Sequence, residues 1–252
     1  MLSPSQVNNF HQQGYLLLRD FIPKDIWQPA LEIAKQHLVE RVKPFELESE
    51  LQYPGAPSPE QDPERVIRRL LQAADRDQSF YQCATHSNVV SSIEQLLNNS
   101  ALLVRAHHNC IMTKQPAFSS DSWWHQDIRY WKYDKGNLIS AWFALGAESS
   151  DNGGLMVIPG SHKEVFSAEQ FDSKSFFRQD IKQNQTILKQ KVHLNLDAGD
   201  LLLFHCRLLH AATRNYTEAT KLAAVFTYRE ESDCPVPNSR SASLPDVRLD
   251  SE

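Results

Sequence analysis

The chain has 252 residues, 41% hydrophobic and 23% charged, enough to bury one sizeable core and typical of a globular domain rather than a disordered or fibrous one. A formal net charge of −5 speaks against a nucleic-acid partner, because neutralising phosphates takes clustered Lys and Arg. No apolar run approaches the roughly 20 residues of a membrane-spanning helix. The cysteines at positions 83, 110, 206 and 234 have neither CxxC spacing nor the density of a disulfide framework.

The N-terminal stretch lacks the basic and apolar blocks of a secretory signal, so a cytoplasmic protein is the expectation. Ser3-Pro4 is a helix-start signal, and the following GYLLLRDF segment reads as a short strand bounded by Gly14 and Pro23. From Lys24 to Arg41 the apolar residues Ile26, Trp27, Ala30, Leu31, Ala34 and Leu38 recur at helical spacing, with Pro29 acceptable in a first turn. Five prolines between 44 and 63 predict a long loop, either disordered or a lid over a site. Two further helices are expected over Glu64–Ala74 and Val89–Asn98.

Beyond Ala101 the pattern changes to short apolar segments divided by turn residues: ALLVRAHHNCIM, SWWHQDIRYW, LISAWFALG, GLMVIPGSH, VHLNL, LLLFHC and KLAAVFTYRE. Strands at such spacing predict a sandwich or jelly roll between about 100 and 230. One domain over 1–231 is the expectation, followed by a flexible polar tail over 232–252 that holds Pro235, Pro237 and Pro245.

His125 and Asp127, one residue apart in a predicted strand, project from one face and can chelate one ion. His210, after the apolar strand Leu201–Cys206, is the candidate third ligand. Two imidazoles and a carboxylate on one side of a metal leave the opposite side open, the arrangement that suits non-haem iron(II) with room for a bidentate 2-oxo acid and dioxygen.

WHQD at 124–127, Trp142, GGLMVIPGSH at 153–162 and AGDLLLFHCRLLHAATRN at 198–215 together resemble the phytanoyl-CoA dioxygenase family, with similarity from residue 3 to about 230. The resemblance implies a mainly β fold with flanking helices, a double-stranded β-helix of the cupin-like jelly-roll type. It implies iron(II) on His125, Asp127 and His210, 2-oxoglutarate and dioxygen as cosubstrates, and hydroxylation of a small molecule. Relatives that halogenate lack the carboxylate, so Asp127 favours hydroxylation. Where the family places an arginine for the far carboxylate of 2-oxoglutarate, this sequence has Lys221, which delivers charge without the guanidinium fork. Arg214 is the rival cation, and Gln126 and Trp142 stand at cosubstrate-pocket positions. In the strand KLAAVFTYRE, Lys221 shares a face with Ala223, Val225 and Thr227.

Lys114 could neutralise an anionic substrate or cosubstrate but reads rather as a surface lysine, His205 as a buried histidine that supports the site or the core, and His162 as part of its turn. Arg129, if the strand continues, shares the face of His125 and Asp127; with Tyr130, Trp131 and His107 it is a candidate for meeting substrate. His107 and His108 should face opposite sides of their strand, so that at most one points inward. A catalytically silent jelly-roll binding protein, and a cupin-like enzyme using another metal, stay open as alternatives.

Overall fold

The structure is a computed structural model that describes residues 1–50, 57–58, 60, 65–116 and 119–249. Ser3 caps helix α1 (Pro4–Gln13): its hydroxyl accepts from the Gln6 N–H at 3.3 Å, and the Gln6 side chain accepts from the Ser3 N–H at 2.8 Å. Gly14 ends the helix at φ +80°, where a Cβ would lie 2.4 Å from the His162 ring. Conformation and space both demand glycine there. Strand β1 (Tyr15–Leu18) follows, then helix α2 (Lys24–Val39) with Ala30 and Ala34 buried. Pro29 sits inside α2 rather than in its first turn, so the Asp25 carbonyl loses its usual helical donor.

The stretch expected to be a loop contains strand β2 (Phe45–Leu47) and a 3₁₀ turn at Glu48–Glu50. Most of the rest of 44–63, and with it any lid, lies outside the described residues. The helix expected over Glu64–Ala74 is instead strand β3 (Ile67–Leu71), followed by the short helices α3 (Ala73–Arg76) and α4 (Gln78–Thr85). β3 lies between β2 and strand β4 (Ala101–Lys114). Pairing on both sides outweighs the local helical pattern. Helix α5 (Ser87–Leu97) buries Val89, Val90, Ile93, Leu96 and Leu97 at spacings of one, three and four, and ends on Asn98 in the left-handed region.

The remaining strands are β5 (Ser122–His125), β6 (Leu138–Ala144), β7 (Leu155–Val157), β8 (Val192–His193), β9 (Leu201–His205), β10 (His210–Ala212), β11 (Lys221–Glu230) and β12 (Val247–Arg248), with helix α6 (Lys182–Leu188) before β8. They form two antiparallel sheets. The larger runs β1-β9-β6-β11-β4-β3-β2, with β12 also on β4; the smaller runs β5-β10-β7-β8. This is the jelly roll that the strand spacing predicts.

Alternation in the central strands divides the interior in two. Ile139, Ala141 and Phe143 of β6, Leu201 and Leu203 of β9, and Ala224, Phe226 and Tyr228 of β11 pack with Phe10, Ala30, Ala34, Phe80 and Ile93 of the helices. Trp142 and Ala144, Leu202 and Phe204, and Ala223 and Val225 point the other way, onto Leu155, Val157 and Ala212 of the smaller sheet. Both faces are covered, which explains why these strands read as continuous apolar runs. The space between the sheets is where the polar residues of interest converge.

The segment from Ser232, expected to be a flexible tail, packs on the domain as far as it is described. Asp233 is fully buried and accepts from the N–H groups of Lys135 and Asn137, both at 2.8 Å. Asp246 pairs with Arg229 at 2.5 Å, and β12 joins β4. Polar side chains that satisfy main-chain groups hold the segment, so it carries no hydrophobic periodicity. No helix among the described residues is long and apolar enough to cross a membrane.

Phe226 and Phe143 meet edge to face at 5.6 Å in the helix-side core. Phe226→Ala should lower stability by about 3–5 kcal/mol, read as a reduced urea midpoint at unchanged slope. A loss below ~1 kcal/mol would contradict that placement.

Candidate active site

Two antiparallel strands bring the candidate ligands together. His210 opens β10 directly opposite His125, the last residue of β5, and their rings lie 4.2 Å apart between centroids. The strand stops there: Asp127 begins a 3₁₀ turn, Asp127–Tyr130. Even so, the Asp127 carboxylate swings into the same space, with Oδ1 at 3.7 Å from His125 Nε2 and 3.5 Å from His210 Nε2. One ligand atom from each of the three lies within 4.8 Å of the others.

Hydrogen bonds fix how each imidazole presents itself. His125 Nδ1 donates to the Trp123 carbonyl at 2.7 Å and His210 Nδ1 to the Leu208 carbonyl at 3.0 Å. Each Nε2 is left as a lone pair facing the carboxylate. Burial above all holds the His125 pKa well below the usual histidine range, so its ring favours the neutral form that binds a metal. The second oxygen of Asp127 accepts from Ser140 Oγ at 3.3 Å, and His108 Nδ1 approaches it to 3.5 Å. His108 is thus a neighbour of the carboxylate rather than a fourth member of the cluster.

On one side of the triad lies a narrow cavity of about 60 Å³ between the sheets, walled by Met112, Trp142, Leu155, Ala212 and Val225. Trp142 walls it as expected. Lys221 is there too, on the face predicted for it, but its ammonium is already spoken for. It lies 2.8 Å from Glu148 Oε2 and 4.8 Å from the centre of the Trp142 ring. The other Glu148 oxygen accepts from Trp142 Nε1 at 2.8 Å.

Three further cations, Lys114, Arg68 and Arg69, line the cavity. Lys114, expected at the surface, is 5% exposed and pairs with Lys221 across the β4–β11 register. Its Nζ donates to the Ser120 carbonyl at 2.5 Å, and no carboxylate among the described residues stands within ion-pair distance of it. Burial first, then the Arg68 charge, pushes the Lys114 pKa well below the usual lysine range. Arg68 donates to Glu48 Oε2 at 3.0 Å, Ser120 Oγ at 2.6 Å and Ser122 Oγ at 2.8 Å.

Other expected residues lie elsewhere. Arg214 pairs with Asp121 at 3.1 Å and lines a surface depression with Tyr216 and Glu218. The Gln126 amide donates to the Arg207 carbonyl and lines neither pocket of the triad. His205 Nδ1 accepts from Arg207 N–H at 3.0 Å, and His162 pairs with the His11 carbonyl at 3.2 Å; both are structural.

On the other side of the triad opens a wider pocket of about 430 Å³, lined by His107, His108, Arg129, Tyr130, Trp131 and Phe176 among others. Both adjacent histidines face it, against the expectation of alternation. The register between β11 and β4 jumps from Phe226↔Asn109 to Thr227↔Val104, so residues 105–108 bulge out of the ladder and escape the two-residue period. Arg129 reaches the pocket from the 3₁₀ turn, not from a continued strand.

A family model described as phytanoyl-CoA dioxygenase (PhyH) matches residues 10–223. A probable phytanoyl-CoA dioxygenase of Caenorhabditis elegans is 25% identical over 93% of this chain and 77% of its own length. The ectoine dioxygenase of Halomonas elongata is 24% identical over 97% and 75%. Among solved structures, EctD from S. alaskensis with bound Fe superimposes with a TM-score of 0.77 at 18% identity, over 99% of this chain and 87% of that one. The epimerase SnoN in complex with Fe3+, alpha ketoglutarate and nogalamycin RO gives 0.74 at 16% identity, over 98% and 95%. With the family model spanning most of its length, the chain belongs to the phytanoyl-CoA dioxygenase family.

Proposed function

We propose that the protein is an iron(II)- and 2-oxoglutarate-dependent dioxygenase that hydroxylates a small molecule, with His125, Asp127 and His210 holding the metal. The observation that carries this reading is the convergence of two imidazole lone pairs and one carboxylate oxygen within 4.8 Å, between a cation-lined inner cavity and a wide outer pocket. The donor set fits: the carbonyl partners of both Nδ1 atoms turn each Nε2 toward the shared space, and two histidines with a carboxylate suit iron(II) with open positions. When bound, iron(II) supplies the activation of dioxygen that couples decarboxylation of 2-oxoglutarate to hydroxylation of a C–H bond, giving succinate and carbon dioxide.

The chain's own contribution is positioning and charge. Ser140 steadies one oxygen of Asp127, which would leave the other to face the metal. The inner cavity suits a dicarboxylate. Arg68, Arg69, Lys114 and Lys221 line it; Glu48, Glu46 and Glu148 pair with Arg68, Arg69 and Lys221, which among the described residues leaves one cation in excess. We assign that excess to Lys114, because the Lys221 ammonium is taken by Glu148 and Arg68 by Glu48. Lys114 therefore receives the far carboxylate of 2-oxoglutarate, which could not be buried unpaired. Lys221 keeps Glu148 and Trp142 in place as the cavity wall. The outer pocket falls in the size range of small-molecule sites.

Asp127→Ala should abolish both stoichiometric iron(II) binding and substrate-dependent succinate formation. Full activity at wild-type metal content would overturn the ligand set.

Anaerobic titration of the iron(II)-loaded protein with 2-oxoglutarate, following the visible band that keto-acid chelation produces, tests the anchor. Lys114→Met should raise the apparent Kd at least about tenfold, the scale of one lost charge-assisted hydrogen bond. The double variant Lys221→Met/Glu148→Gln, which removes the ion pair together with its charge, should stay within about threefold of wild type. The reverse ranking would return the anchor to Lys221. No band in the iron-loaded wild type would favour a silent binding protein or an enzyme of another metal.

Binding should also take up a proton. In the empty site Lys114 is biased toward its neutral form, and a carboxylate beside it favours the charged form. Affinity for 2-oxoglutarate should therefore fall as pH rises above the depressed lysine pKa. Calorimetry of metal-loaded protein in buffers of different ionisation heat should show net uptake that disappears in Lys114→Met.

A further inference from the structure

The outer pocket carries a charge pattern that points to the substrate. Of its basic residues, Arg69 is neutralised by Glu46 at 2.5 Å. Arg129 has no carboxylate partner among the described residues; its guanidinium lies 4.1 Å from the centre of the Phe176 ring and 4.6 Å from that of Tyr130, with a long bond to the Ser175 carbonyl at 3.4 Å. The two rings hold it in place without satisfying its donors.

Arg240 comes from the C-terminal segment, in a 3₁₀ turn at Arg240–Ala242, and likewise has no carboxylate partner among the described residues. Its side chain is exposed, but its backbone is held, because its neighbour Ser241 is buried. The Ser241 hydroxyl accepts from the Lys132 N–H at 2.8 Å and meets His107 Nε2 at 2.8 Å. His107 in turn stacks on Trp131 at 4.9 Å. This contact fixes the turn at the pocket wall, and the Arg240 charge is close enough to help depress the His107 imidazole, whose pKa burial already drives down to about 3. Of the acidic residues lining the pocket, Glu46 is committed to Arg69, and Asp127 faces the histidines of the triad.

We propose that the substrate carries an anionic group, a carboxylate or a phosphate, which seats at the mouth of this pocket against Arg129 and Arg240 while its apolar part points past Trp131 and Phe176 toward the triad. The proposal rests on the oxygenase reading only in calling this ligand the substrate; the anion site itself stands on the pocket. Two guanidiniums give an anion several donors at once, and a planar fork suits either a carboxylate or a phosphate. The C-terminal segment is then part of the substrate site.

The test is calorimetric titration with three probes of one chain length, hexanoate, hexyl phosphate and hexanamide, on metal-free protein and on protein loaded with iron(II) and 2-oxoglutarate under nitrogen. An anionic probe should bind at least about tenfold more tightly than hexanamide in both forms, and the stronger of the two anions identifies the group. Arg240→Gln, at an exposed position that leaves the core intact, should remove most of that preference and leave the 2-oxoglutarate band unchanged. Equal affinity for hexanamide, no heat from any probe, or a preference that survives both Arg240→Gln and Arg129→Gln would each overturn the proposal. A missing 2-oxoglutarate band would count against the oxygenase reading alone, because the anion preference is also read without metal.

Discussion

The pairing of β5 with β10 is the constraint on which the site depends. It sets His210 against His125 in register, so two residues far apart in sequence present their rings at 4.2 Å. A one-residue slip in either strand would turn one imidazole out of the space between the sheets. The pairing is short, and its register shifts just beyond His210. What holds it is the packing around it: Ala211 lies in a cluster with Trp124, Met156 and Phe177, and Ala212 in one with Leu155 and Val225. Small residues on β10 let the strand sit close to its neighbours, and the two Nδ1 bonds to backbone carbonyls remove the remaining rotational freedom of the rings.

Charge is the second constraint. The inner cavity buries Arg68, Lys114 and Lys221 at 3%, 5% and 4% exposure, which is costly unless each is compensated. Glu48 and Glu148, at 1% and 2% exposure, compensate two of them, and Trp142 and Ser120 complete the hydrogen bonding of the carboxylates. Lys114 is left with a backbone carbonyl. Burial holds its pKa well below the usual lysine range, which eases the cost of leaving it without a carboxylate partner among the described residues. A cation left without a carboxylate partner in this way is a cost to the fold, and under the proposed function it is the feature that would select an anion.

The convergence of His125, Asp127 and His210 was legible in the sequence because its signals are local. The two-residue spacing of His125 and Asp127 survives even though the strand ends between them, since the 3₁₀ turn carries Asp127 back over the same face. Lys221 was placed on the correct face by simple alternation. Its partner was not visible: Glu148 lies in GAESSDNGG, where a glutamate reads as solvated, and only the bridge between Glu148 and Leu196 brings it inside. Lys114 looked like a surface residue because nothing in β4 reveals that the smaller sheet and the segment around Ser120 cover its end. Arg68 was hidden by a helical reading of VIRRLLQAA, which long-range pairing with β4 overrides. The C-terminal packing was missed for the same physical reason, since Asp233, Ser241 and Asp246 act through polar bonds that leave no apolar period.

The two sides of the triad are built by different means. The inner cavity uses regular strands, where alternation fixes Lys114, Lys221 and Trp142 within the ladder and leaves little freedom to change one without the rest. The outer pocket uses departures from regularity: a bulge at 105–108 that turns both His107 and His108 inward, a 3₁₀ turn that delivers Arg129, and a C-terminal turn that delivers Arg240. Irregular segments can change their side chains without disturbing the ladder that holds the histidines. A jelly roll organised in this way can hold the triad and the inner cavity constant while the residues at the rim of the outer pocket vary. The features that distinguish this chain's chemistry are therefore to be sought at His107, Arg129 and Arg240 rather than at the triad.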